Sequence, residues 1–185
     1  MNALKALATF IVIVGRLNGL VGRSFAWLTL VSVLLCFTVV VQRYVFDTTY
    51  LWMQDLYVWV NGAMFMAVAG YTLLTDGHVR VDVYYRPASL RRKAVMDLIG
   101  VVVFLLPFCA VVWLWGFEYV ERSWKLFEGS ANPGGMPGLF ILKSFILVFV
   151  VLVTLQGLAM AGRSILVFRD RHELLPSDFR YPVHA

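Results

Sequence analysis

Four long segments of this chain contain no charged residue. Each has 19 or 20 residues, and they are residues 24–42, 56–75, 98–117 and 144–162. A helix needs about 20 mostly apolar residues to cross the hydrocarbon core of a bilayer. Backbone groups in lipid must be hydrogen-bonded internally, which leaves helices or a closed barrel. Unbroken apolar runs such as FILVFVVLV do not alternate as barrel strands do. We therefore predict an all-α integral membrane protein with four transmembrane helices.

The composition excludes most other classes of protein. Of the 185 residues, 61% are hydrophobic and 15% are charged, against about 25% charged in a typical soluble domain. This excludes an ordinary soluble domain and a disordered chain. Both cysteines, Cys36 and Cys109, fall within predicted spans and are expected to be small buried hydrophobes, so a disulfide scaffold is also excluded.

The sequence contains no pattern typical of catalysis or cofactor binding. His78, His172 and His184 lie outside the predicted spans, which excludes intramembrane haem ligation by histidine. We find no metal-ligand cluster, no nucleophile with a base and no phosphate-binding loop. No span has an acidic or basic residue near its centre, where such a residue marks an ion path. We expect a protein that is not an enzyme, needs no cofactor or metal, and transports nothing on its own.

The basic residues predict the orientation in the membrane. Twelve of the 16 Lys and Arg residues lie in the N-terminal segment, between the second and third spans, and in the C-terminal tail. The positive-inside rule places these three segments, and hence both termini, in the cytoplasm. The prediction is one membrane domain over residues 1–185, with an arm (1–23), a four-helix bundle (24–163) and a cytoplasmic tail (164–185). The basic segments are short and lie beside the membrane, which favours phospholipid contact over nucleic-acid binding.

The N-terminal arm has two possible interpretations. Residues 6–15 form a short apolar run behind Lys5, and no small-x-small cleavage site follows it. The run is too short to span a bilayer. The arm is therefore either a helix at the inner membrane surface or a cytoplasmic extension of the first helix.

Several polar residues lie near the predicted ends of the first two spans. The first external connection brings Arg43 and Asp55 to the same membrane face, with Trp52 near the boundary. A carboxylate at the start of the second helix is favoured by the helix dipole. On the cytoplasmic side, His78 and Asp82 follow the second span.

The interiors of the spans contain packing features. Gln156 needs a hydrogen-bond partner, either inside the bundle or on another protein. Small residues such as Gly62, Gly70 and Gly157 allow helices to approach closely. Pro107 lies in the middle of the third span and predicts a kink there.

The third helix is expected to continue about three turns beyond the membrane, as a solvated extension that ends near Glu128. The reason is a pair of i,i+4 charge pairings, Glu118 with Arg122 and Glu121 with Lys125. The sequence SANPGGMPG then breaks this helix and precedes the fourth span.

Taken together, these motifs resemble the small permease subunit, the DctQ-like family, of tripartite ATP-independent periplasmic (TRAP) transporters. The resemblance covers roughly residues 17–163. It rests on Arg-Tyr-Val-Phe at Arg43, Trp52-x-x-Asp55 before the second span, HxxVD from His78 to Asp82, a Pro-containing loop, and Gln156-Gly157 near the end of the fourth span. The family commonly has two acids after the Trp, where this chain has Gln54 and then Asp55.

The resemblance implies a supporting subunit in the bacterial inner membrane. In this family a separate, larger membrane subunit holds the substrate and sodium sites and performs the transport. A soluble periplasmic binding protein delivers the substrate, often an organic acid, so the whole system is a sodium symporter. The small subunit packs on the large one. Interface residues expected on this basis are Arg43, Trp52, Gln54, Asp55, His78, Asp82, Gln156 and Gly157.

A second class of protein fits the composition equally well. A four-helix anchor or assembly subunit of a membrane enzyme complex also needs a partner and no chemistry of its own. A respiratory anchor usually supplies histidines within its spans, and this chain has none there.

Overall fold

The protein is described by a computed structural model over residues 2–77, 82–85 and 87–181. These residues form helices and connecting loops, with no β-strand among them. The helices are α1 (Asn2–Ala26), α2 (Leu28–Val45), α3 (Leu51–Leu74), α4 (Asp82–Tyr85), α5 (Leu90–Ile99), a π-helical segment (Gly100–Leu105), α6 (Leu106–Lys125) and α7 (Leu139–Phe168). Two short 3-10 turns, His172–Leu174 and Ser177–Phe179, follow in the tail.

Four helical units are long and apolar enough to cross a membrane, as the charge-free segments predict. They are α1 with α2, then α3, then α5 through α6, and finally α7. Trp124 donates a hydrogen bond to Ser144 at one end of the bundle, and Arg163 contacts Asp97 at the other, so α6 and α7 are antiparallel. Following the predicted orientation, we call the end with Asp97 and Arg163 the inner end and the opposite end the outer end.

The N-terminal arm is helical and continues into the first predicted span. α1 is 25 residues long, and a single turn at Trp27 separates it from α2. Ile11 and Val14 are buried in one cluster with Ala159 and Leu166 of α7. α1 therefore covers the inner half of α7, and this contact supplies much of the core at the inner end.

Pro107 changes the helix that contains it. Proline has no N–H to donate, and its ring crowds the carbonyl four residues earlier. The residues just before α6, Gly100–Leu105, take up the wider turns of a π-helix. The kink at Pro107 stays a prediction, and the structure has a π-helical segment just before the proline.

The predicted extension beyond the third span is shorter than expected. α6 ends at Lys125, eight residues after Phe117, which is about two turns and not three. Lys125 pairs with Glu121 at 2.7 Å, whereas the structure describes both Glu118 and Arg122 without an ion pair between them. The chain turns back at Phe127, whose φ of 44° is left-handed.

Burial is uneven among the helices. α7 contributes buried residues throughout its inner half, and α2 contributes none. Where helices approach most closely, a glycine allows it. A Cβ on Gly22 would overlap Tyr71, and a Cβ on Gly157 would overlap Leu105. The chain therefore packs closely where α1 meets α3 and where the π-helical segment meets α7.

Candidate functional site at the two ends of the bundle

At the outer end, Asp55 holds the loop that joins α6 to α7. Its carboxylate accepts hydrogen bonds from the Asn132 side chain at 3.2 Å and from the Met136 backbone N–H at 3.0 Å. A Cβ at Gly135 would overlap both Asp55 and Ser130, so only glycine fits at this point of the loop. We call residues 126–138 the outer loop. Asp55 thus connects α3 to a loop almost 80 residues away in sequence.

The other residues predicted at the outer end make fewer polar contacts within the chain than Asp55 does. Arg43 and Trp52 are exposed, and Gln54 is half-buried. The Arg43 guanidinium lies 5.8 Å from the ring centre of its neighbour Tyr44. Arg43 and Asp55 lie at the same end, as the topology requires, but they form no ion pair with each other. The structure brings Asp55 together with the outer loop instead.

A second contact at the outer end joins α6 to α7 through Glu128. Its carboxylate accepts a hydrogen bond from Ser123 at 2.6 Å and forms an ion pair with Lys143. The Lys143 ammonium also lies 4.0 Å from the ring centre of Tyr119. The hydrogen bond from Lys143, and then that from Ser123, lowers the pKa of Glu128. The expectation that Glu128 is merely solvated is wrong, because the turn after α6 directs its carboxylate back onto α7.

At the inner end, a buried ion pair joins α5 to α7. Arg163 donates a hydrogen bond to the Asp97 carboxylate at 3.1 Å, and both side chains are at most 10% exposed. The Tyr181 ring lies 4.0 Å from the Arg163 guanidinium, and the Tyr181 hydroxyl is 3.1 Å from Ser164. Tyr85 donates a second hydrogen bond to Asp97. We call Asp97, Arg163, Ser164 and Tyr181 the inner cluster.

Burial affects the chemistry of the inner cluster. The phenol of Tyr181 is desolvated, which raises its pKa to about 12. It therefore stays neutral at physiological pH and offers its ring face to the Arg163 guanidinium, a favourable cation–π arrangement. The tail is fixed to the helices through this residue.

Sequence reasoning missed the inner cluster, although the signal was present. Asp97 immediately precedes the third charge-free segment and Arg163 immediately follows the fourth, so an antiparallel bundle brings both to the same end. Opposite charges at that depth are expected to pair, because isolated charges are costly there. Tyr181 gave no signal, because its position depends on how the tail folds back.

Gln156 and Gly157 lie inside the bundle. Gln156 is buried and accepts a hydrogen bond from the Asn18 side chain at 3.0 Å, so its predicted need for a partner is met within the chain. Asn18 also contacts the Leu152 carbonyl at 3.5 Å. Asn18 was missed because it belongs to the arm, for which neither interpretation predicted a contact with the fourth span. It shares a helix face with the buried Ile11 and Gly22.

Two predicted site residues fall wholly or partly outside the part of the chain that the structure describes. His78 lies outside the described residues, and so does the side chain of Asp82, whose backbone begins α4. Within the described residues, no group of His, Cys, Asp and Glu side chains has the arrangement of a metal site.

The described residues thus contain four helical units that are long and apolar enough to cross a membrane, with polar contacts at both ends of the bundle, as in a multi-pass helical membrane protein. The family model for the DctQ component of tripartite ATP-independent periplasmic transporters matches residues 32–166, nearly three quarters of the chain. The chain belongs to this family and is the small membrane subunit of a TRAP transporter. No curated protein and no solved structure is significantly similar to it.

Proposed function

We propose that this subunit braces a separate large membrane subunit in the bacterial inner membrane, with both termini in the cytoplasm. The large subunit carries out sodium-driven uptake of an organic acid delivered by a periplasmic binding protein. The small subunit contributes no substrate or sodium site of its own. Its role is to present a helical surface of fixed shape to its partner.

The observation that supports this proposal is the use of polar residues at the ends of the bundle. Asp55 is engaged with the outer loop, Glu128 with Lys143, and Arg163 with Asp97. The Asp55 and Arg163 contacts join elements that are distant in sequence, and the Glu128–Lys143 contact joins the outer loop to α7. Such contacts hold helices in register at their ends, which is what a brace requires.

The long faces between the two ends are apolar and largely uncovered by this chain. α2 has no buried residue, and Phe37 on it is 65% exposed. On α6, Leu114 and Trp115 are similarly exposed, at 64% and 66%. Exposed apolar faces of this kind are favourable against lipid or against another apolar helix surface, and unfavourable in water. This favours a large membrane partner over a soluble one.

We further propose that the residues expected from the family motifs act by shaping that surface. Arg43, Trp52 and Gln54 lie at the outer end with Asp55, close to where a partner also meets the periplasm. Gln156 and Gly157 act from inside, by fixing how α7 meets α1 and the π-helical segment. His78 and Asp82 are assigned to the inner end on sequence grounds alone.

The transport test reconstitutes the protein in vesicles under an inward sodium gradient. Vesicles with the small subunit alone should accumulate no organic acid. Vesicles with both membrane subunits should accumulate it when the loaded binding protein is added outside, and replacing sodium by potassium should abolish uptake. Uptake by the small subunit alone would contradict the bracing role. Uptake by the full system without sodium would contradict sodium coupling.

The orientation is tested separately by cysteine labelling. A single cysteine in place of Asn132, in the outer loop, should react with an impermeant thiol reagent from the periplasm. One in place of Ser89, just before α5, should react only after the cells are opened. The matched background replaces Cys36 and Cys109 by Ala. The opposite labelling pattern would reverse every side assignment made above.

A further inference from the structure

α1 carries a row of basic residues on one face. Lys5, Arg16 and Arg23 are spaced by 11 and 7 residues. Successive helical residues are rotated by about 100°, so these spacings place all three within about 20° of one another around the helix. Each is exposed. None of the three side chains forms a hydrogen bond or ion pair within the part of the chain that the structure describes. We call these residues the basic row.

The basic row lies beside apolar residues that this chain does not cover. Ile13 is 60% exposed, Leu17 41% and Leu20 67%. The opposite side of α1 is buried against α7 and α3, so this exposure is not needed for packing. A helix with exposed apolar residues beside a line of Lys and Arg is typical of contact with the headgroup layer of a membrane.

A groove runs along α1 between two members of the basic row. Its volume is about 420 Å³, and the C-terminal tail forms its other wall. Lys5 and Arg16 line it together with Val12, Ile13, Leu174 and Pro176. The spacing of eleven positions from Lys5 to Arg16 corresponds to about 16 Å of helix. The cations at the two ends of this groove suit a phosphodiester, and the apolar side chains between them suit the first methylenes of an acyl chain.

A second groove continues along the row to Arg23. It has a volume of about 530 Å³ and is lined by Arg16, Arg23, Tyr71 and the tail residues Asp178 and Phe179. Asp178 accepts a hydrogen bond from Ser177 at 3.0 Å and lowers the net positive charge there. The first groove, whose lining contains Lys5 and Arg16 and no acid, is therefore the stronger anion site.

We propose that α1 binds an anionic phospholipid, with the phosphate between Lys5 and Arg16 and the acyl chain against Val12, Ile13 and Leu174. Charge complementarity selects this occupant, because the exposed surface combines unpaired cations with apolar side chains. α1 precedes residues 32–166, so the proposed site lies outside the region shared with the family model. The inference rests on the proposed orientation, which places α1 at the cytoplasmic surface, where anionic headgroups attract basic segments.

The test measures lipid binding to the purified full-length chain by native mass spectrometry, alone and in complex with the large subunit. The probes are dioctanoyl phosphatidylglycerol, dioctanoyl phosphatidylcholine and free glycerol phosphate. The variant Lys5→Gln/Arg16→Gln/Arg23→Gln removes the basic row. The variant Arg92→Gln/Arg169→Gln/Arg171→Gln is the matched control, because it removes three exposed charges, none of which lines either groove.

Phosphatidylglycerol should bind more tightly than phosphatidylcholine or glycerol phosphate. Each basic residue should contribute about fivefold at low salt, so loss of all three should weaken phosphatidylglycerol binding on the order of a hundredfold. The control variant should keep most of the affinity, and added salt should reduce it in both. An unchanged melting temperature in neutral detergent would show that the variant is folded.

Three results would overturn the proposal. Equal losses in the two triple variants would mean that general positive charge, and not a site on α1, attracts the lipid. Glycerol phosphate binding as tight as phosphatidylglycerol would indicate a site for a soluble phosphate. Loss of the large subunit with unchanged lipid affinity would assign the basic row to a protein contact. None of these results bears on the bracing role, which the vesicle uptake experiment tests independently.

Discussion

The two halves of α7 have different surroundings. All 12 of its buried residues lie from Val150 onward, and Leu139 to Phe149 contains none. The inner half packs against α1 and α5, which this chain supplies itself. α3 and α6 also contact α7, and the partly exposed Glu128–Lys143 pair joins its outer half to the outer loop. This chain therefore buries far more of the inner half of α7 than of the outer half, which retains apolar surface for lipid or a partner.

The largest effect is expected from breaking the inner ion pair. Arg163→Ala removes the guanidinium that faces the buried Asp97 carboxylate, and breaking a buried pair in this way costs about 3–5 kcal/mol. Chemical unfolding in detergent measures this loss. The double variant Asp97→Ala/Arg163→Ala should lose less than the sum of the two single variants.

Lys125→Ala is the control for that prediction. It breaks an exposed pair with Glu121, for which about 0–1 kcal/mol is expected. Equal losses for Arg163→Ala and Lys125→Ala would mean that the inner end is no more tightly built than the exposed end of α6.

The next largest loss of stability is expected from a substitution at the close contact of α1 with α3. A Cβ at Gly22 would overlap the Cβ and Cγ of Tyr71, atoms that cannot move without the helix. Gly22→Ala should therefore destabilise the protein by about 1–3 kcal/mol, as overpacking does. Gly100→Ala is the matched control, because nothing lies within 4 Å of the added Cβ. If the two variants unfold at the same denaturant concentration, α1 is not packed as described.

At the outer end, Asp55→Asn should loosen the outer loop with a small effect on the whole molecule. Asparagine has one acceptor oxygen where the carboxylate uses two, so one of the contacts with Asn132 and Met136 is lost. The expected cost is about 1 kcal/mol. Hydrogen exchange should speed up at residues 130–136. Asp47→Asn, an exposed residue of the other outer connection, should leave that exchange unchanged.

The smallest effect is expected on the stability of the protein at acidic pH. The pKa of Glu128 lies below its unfolded value of 4.5, so its ionised form stabilises the fold at higher pH. That contribution is fully present above the unfolded pKa and is lost as the pH falls through the lowered folded pKa. Glu128→Gln should therefore show a smaller decrease in melting temperature between about pH 6 and about pH 3 than the unaltered chain. An identical decrease in both would show that the Lys143 contact does not stabilise the fold.

Much of the fold could be predicted because the bilayer imposes it. A charge-free segment of about 20 residues has few alternatives to a helix. Pro107 also indicated which part of the third span is irregular, because proline has no backbone N–H to donate to a helical hydrogen bond. The extension of the third helix was overestimated, because i,i+4 charges stabilise a helix only weakly and do not decide where it ends.

The polar contacts could be predicted less well. The Asp97–Arg163 pair joins residues 66 positions apart, and the Asn18–Gln156 pair residues 138 apart. The spacing of charges along the sequence does not indicate which distant residues are in contact. Asp55 was predicted at the same end as Arg43, but its partners lie in the outer loop, whose path depends on glycines and prolines. Local patterns predicted where polar residues lie, and tertiary packing decides what they contact.

The most direct test of the bracing account is co-purification of the large subunit with tagged variants of this chain. Asp55→Ala and Arg163→Ala, which release contacts at the outer and inner ends, should each reduce the recovered large subunit several-fold. Lys125→Ala should recover as much as the unaltered chain, and all variants should insert equally into membranes. Full recovery of the large subunit with both Asp55→Ala and Arg163→Ala would show that the polar contacts at the ends do not shape the surface it binds.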